Sequence, residues 1–89
     1  MQESEKAAKV IEALKAAERE PAQTALPMLN GLFELIQGGQ ETHLEVEEAR
    51  ADAFMAICEV AKALHRGQPA DRLWTSAIGA TERWISLAR

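Results

Sequence analysis

The groups in this 89-residue chain that could do chemistry are two histidines, one cysteine and 14 acidic side chains. Their spacing limits what they can share. His43 and His65 lie in one stretch without Pro or Gly. On a single helix they would stand about 33 Å apart, too far to hold one metal ion within a chain. Cys58 is the only cysteine, which excludes an internal disulfide and a cysteine-based zinc site. It falls on an apolar helix side with no histidine placed to ionise it, so it reads as a structural thiol. HExxH and GxSxG patterns are absent. Gly38-Gly39 stands outside any phosphate-binding glycine pattern and reads as a turn.

The acids concentrate between Glu41 and Glu59. On a helical wheel Glu41, Glu45, Glu48, Asp52 and Glu59 fall within roughly 60° of one another. Bundle metal sites project carboxylates inward from more than one helix. This stripe lies opposite the apolar side, and the preceding apolar segment offers only Glu34. The stripe is therefore expected to be a solvated face. One group departs from the local pattern. His43, Glu47 and Arg50 point in the direction that Phe54, Ile57, Cys58 and Ala61 use further along, at i, i+4 and i, i+3 spacings that let neighbours touch. An imidazole oriented by Glu47 beside a fixed Arg50 could hold an anion. The bland alternative is the wet end of an overhanging helix, and a dimer contact rich in ion pairs is a third.

Four helical segments must position these residues. Residues 4–20 carry Ala7, Val10, Ile11 and Leu14 on one stripe, with Ser4 as expected cap and Pro21 as the break. Residues 24–37 carry Leu26, Leu29, Leu32, Phe33 and Ile36, widened by Met28 and Leu35. Thr24 is the expected cap, Pro27 is expected in the first turn, and Gly31 is expected to allow a close helix contact. Residues 41–66 open with acids and close with Lys62, His65, Arg66 and then Gly67, the order a helix dipole favours. Their seam is Val46, Ala49, Ala53, Ile57, Val60 and Leu64. Residues 70–88 put Leu73, Trp74, Ala77, Ile78, Thr81, Trp84, Ile85 and Ala88 over half the circumference, more than one neighbour requires. That helix is expected either to sit between two others or to face a partner chain.

Short Gly/Pro turns between the segments predict a single all-α domain, a four-helix antiparallel (up-and-down) bundle with an overlong third helix, dimeric because so short a chain buries little core alone. A net charge of −4 argues against nucleic acid and against an anionic membrane. The polar N-terminal residues and the lack of a membrane-length apolar run place it in the cytoplasm by default. No cofactor is implied.

Two functions follow. The first is a non-catalytic protein–protein interaction, adaptor or regulatory protein that pairs with itself and with another protein. It would use Trp74, Ile78 and Trp84 on the last helix, one tryptophan in the core and one at an interface, or His43, Glu47 and Arg50 at the third helix's end. The second is a small helical ligand-binding protein or divalent-metal-dependent enzyme built on that polar patch. The first predicts an exposed apolar patch beside a tryptophan and no concave pocket; the second predicts His43 or Arg50 in a pocket wall.

Overall fold

In the computed structural model, which describes residues 2–37 and 43–89, the chain forms four α-helices: α1 Glu3–Glu18, α2 Ala22–Ile36, α3 Leu44–His65 and α4 Asp71–Ala88. Each helix follows the apolar period of its sequence. α1 buries Ala7, Val10, Leu14 and Ala17; α2 buries Ala25, Leu29, Leu32 and Ile36. α3 buries Val46, Ala49, Ala53, Ile57, Val60 and Ala63, and α4 buries Trp74, Ala77, Thr81 and Trp84. These side chains make one continuous core. The stripe on α3 ends on Ala63, with Leu64 half-buried beside it.

α1 packs against α2 and α4, and α3 packs against the same two helices, while α1 and α3 stand diagonally without close backbone approach. α4 therefore lies between two neighbours, which accounts for its broad apolar arc. Both tryptophans fill the chain's own core, Trp84 with no exposed surface at all. A tryptophan presented to a partner, as the sequence predicts for one of the two, is not what the packing provides.

The helix ends show where local chemistry decides. α3 ends in a Schellman arrangement: Gln68 N–H donates to Ala63 O at 2.9 Å and Gly67 N–H to Leu64 O at 3.2 Å. Gly67 takes φ +69°, the left-handed conformation that the missing Cβ allows. The starts differ from expectation. α1 begins one residue before Ser4, so Ser4 lies in the first turn with Gln2 ahead of it as N-cap. α2 begins at Ala22 after Pro21, whose carbonyl accepts from both Thr24 and Ala25 N–H at 2.9 Å. Thr24 is thus inside the helix, and Pro27 lies in the second turn. The hydrogen bond Pro27 cannot give would have gone to the carbonyl of Gln23; both residues are exposed, so water can take it. α3 starts at Leu44 after an extended His43 (φ −77°, ψ 124°). The expected start at Glu41 and the Gly38-Gly39 turn lie outside the described residues.

Gly31 is corrected too. It is exposed, and a Cβ built on it would meet nothing within 4 Å, so no close helix contact explains it; Gly79 in α4 is equally open. Among the described residues no helix is long and apolar enough to cross a membrane.

Candidate functional site

The start of α1 brings a carboxylate to the buried side. Glu3 stands four residues before Ala7 and seven before Val10, on the same helical stripe, one turn beyond the apolar residues. Its Oε2 accepts a 2.6 Å bond from Arg50 Nη1 of α3 and a 3.1 Å bond from Trp84 Nε1 of α4. Lys6 Nζ lies 3.9 Å from Oε1. The Glu3 and Arg50 side chains are only 9% and 15% exposed. A charge so poorly hydrated is retained when it is paired and hydrogen-bonded, and here one oxygen serves a guanidinium and an indole at once. Because α1 and α3 do not approach each other closely, this ion pair is the tie across the diagonal. Among the described residues no buried side-chain nitrogen or oxygen lacks a partner.

This arrangement redistributes the sequence-derived group. Arg50 turns to Glu3, which lies outside the helical span read from the sequence. Glu47 and Arg50 line one cavity of about 350 Å³, together with Ile36, Gln37, Ala51, Phe54 and Met55. His43 lines another, of about 780 Å³, between the start of α3 and Leu87, Ala88 and Arg89. His43 and Arg50 do stand in cavity walls, as the ligand-binding alternative requires, but the walls are different ones. The 350 Å³ cavity opens between the C-terminal end of α2 and the N-terminal half of α3.

A second hollow lies farther along the α2–α3 side. There Leu26 and Asn30 of α2 and Ala61, Lys62, His65 and Arg66 line a space of about 360 Å³. Between the two hollows Phe33 and Phe54 meet edge to face, with ring centroids 5.3 Å apart at 61°. Two features of this face depart from an ordinary solvated surface. Met55 is 58% exposed, one of two large apolar side chains so placed among the described residues, the other being Leu44 at 67%. And α2, 15 residues long, carries one charged residue, Glu34, in a chain that is 27% charged. On the α2 side of Met55 charge is depleted, as it is at interface centres, while exposed Asp52 and Glu59 flank it on α3.

Ile78 of α4 is half-buried and packs against the core. The acidic stripe of α3 keeps Glu45, Glu48, Asp52 and Glu59 on the exposed side; Glu41 lies outside the described residues. Among the described residues no three His, Cys, Asp or Glu side chains gather closely enough to share a metal ion. Cys58 is a free thiol, half-buried beside the α3 seam. Met55 and Glu3 are the residues that sequence reasoning passed over. For Glu3 the signal was available: the α1 stripe extended back one turn puts a carboxylate on the buried face, opposite an arginine equally misplaced for solvent.

The chain matches no known family model, no curated protein and no solved structure.

Proposed function

We propose that this chain is a non-catalytic protein–protein interaction module, an antiparallel up-and-down bundle that engages its partner through the α2–α3 face. The antiparallel arrangement is supported by the ends that meet. The C-terminal end of α2 adjoins the first half of α3, the middle of α2 adjoins the last turn of α3, and the first residue of α1 bonds the last turns of α4. The observation that carries the interaction role is Met55, 58% exposed on a groove whose other wall is an almost uncharged helix. This surface replaces the tryptophan face expected from the sequence, since both rings are spent on the core.

A ligand-binding role has in its favour the cavities beside Arg50 and His43, which also run against the absence of a concave pocket expected of an interaction module. It is the weaker reading because the Arg50 guanidinium is already neutralised by Glu3 at 2.6 Å. An incoming anion would have to compete with a preformed charge-assisted bond. The test is a photo-crosslinking amino acid placed at position 55, with a second probe at exposed Glu12 of α1 as control. The interaction role predicts covalent adducts to polypeptide from position 55 and none above background from position 12. Equal, background-level adducts from both positions would refute it.

A further inference from the structure

Beside the exposed acids of α3 runs one stripe with a glutamate at one end and a lysine at the other. Glu47, Ala51, Met55, Cys58 and Lys62 follow one another at spacings of four, four, three and four residues, so they share one stripe. Glu47 stands eight residues before Met55 and Lys62 seven after it. Each charge is therefore about 11 Å along the helix from the point between Phe54 and Met55. Glu47 lines the cavity at one end of the α2–α3 side and Lys62 the cavity at the other, with Ala51, Met55 and Cys58 between them on the stripe; exposed Glu48, Asp52 and Glu59 flank it, and Lys62 Nζ lies 3.4 Å from Glu59 Oε1 of its own chain, an exposed pair weak enough to be exchanged.

A two-fold axis through the middle of such a stripe carries Glu47 onto Lys62 of a second copy, and Lys62 onto Glu47. It also lays Ala51 against Cys58 and Met55 against Phe54. Isologous interfaces must be complementary to themselves in this way, which an arbitrary partner would not require. The charge-poor exposed side of α2 extends the contact beside the stripe. The chain measures 37 × 20 × 17 Å, so its long face is commensurate with the ~800 Å² that each partner buries in a standard interface.

We infer that a second copy of this chain occupies the α2–α3 face, the two α3 helices crossing antiparallel at Met55 with Glu47 of each copy facing Lys62 of the other. The inference rests on the interaction role proposed above and names the partner.

The experiment is sedimentation equilibrium on four samples: the parent chain, Glu47→Lys, Lys62→Glu, and an equimolar mixture of the two variants. Circular dichroism confirms that each remains helical. Each reversal places two like-charge pairs in its own dimer, so self-association should weaken about tenfold or more. In the mixture both charge pairs become attractive again, and the mixed dimer should form with an affinity within about threefold of the parent's. That recovery needs two singly altered chains to complement each other, which a merely destabilised fold cannot produce. A parent chain that stays monomeric overturns the inference, as does a dimer indifferent to both reversals, or variants that fail to recover on mixing. Adducts from position 55 to a different polypeptide, with the parent monomeric, would overturn self-pairing and leave the interaction role standing. Absence of both adducts and association would overturn both.

Discussion

Replacing Glu3 should cost this fold far more than a residue at the first helical position ordinarily does. At an exposed helix start a Glu contributes ~0.3–1 kcal/mol through the dipole. Glu3→Ala here also strips the acceptor from two donors. Arg50 is 15% exposed and Trp84 fully buried, so neither recovers a full water shell. Hydrogen bonds to a charged group contribute ~1.5–3 kcal/mol each, and the lower figure suits a pair that is not wholly dry, which gives about 3 kcal/mol for the two. A chain of 89 residues has a total stability of roughly 4–13 kcal/mol, so the variant should remain folded but clearly weakened. Urea unfolding followed by circular dichroism gives the difference directly. Glu3→Gln keeps an acceptor for one donor and should lose about half as much. A cycle with Arg50→Gln isolates the pair from the dipole effect, with an expected coupling of ~1–2 kcal/mol. A Glu3→Ala cost below ~0.5 kcal/mol, with no coupling to Arg50, would place Glu3 among ordinary surface charges and refute the diagonal tie.

Other substitutions test other parts of the fold. Gly31→Ala and Gly79→Ala should each stabilise by up to ~1 kcal/mol and add together in the double variant, because both sites are helical, open and on helices that do not touch. Gly67→Ala should cost ~1–2 kcal/mol by thermal or urea unfolding, since Ala is strained at φ +69°. Leu14→Ala, fully buried in α1, should cost ~2–5 kcal/mol. Met55→Ala should change the folding stability of the dilute chain by less than ~0.5 kcal/mol, and its effect should appear in association alone.

Most of the helical architecture was legible because the apolar period is strong and the breakers are unambiguous. Pro21 and Gly67 stand at or next to helix ends, and the Schellman bonds at Gln68 and Gly67 are what a Gly after Lys62, His65 and Arg66 implies. Helix starts were less legible. Ser4 and Thr24 have capping chemistry, yet Gln2 and Pro21 hold the cap positions, because backbone conformation before the first turn decides the start and the side chain only assists it. The site was the least legible part. A wheel shows that Arg50 faces the core, but whether it meets Glu47 one turn back or Glu3 from another helix depends on which helices stand diagonally. Exposed Met55 was invisible for a related reason. Its neighbours Phe54 and Ile57 face inward, and how much a flanking residue is covered depends on how tightly α2 closes against α3.

The bond between Glu3 and Trp84 joins residues 81 positions apart. Such a contact can form only after nearly the whole chain has been drawn into a closed loop, at an entropic cost that local helix–helix contacts do not bear. It should therefore be among the last native interactions made and the first to be lost. Substituting Glu3 would then leave the refolding rate nearly untouched and speed unfolding by most of the stability lost, a φ-value close to zero. By the same logic, loss of the Glu3 tie should be an early step when α1 separates from α4, and the unfolding rate of Glu3→Ala measures it.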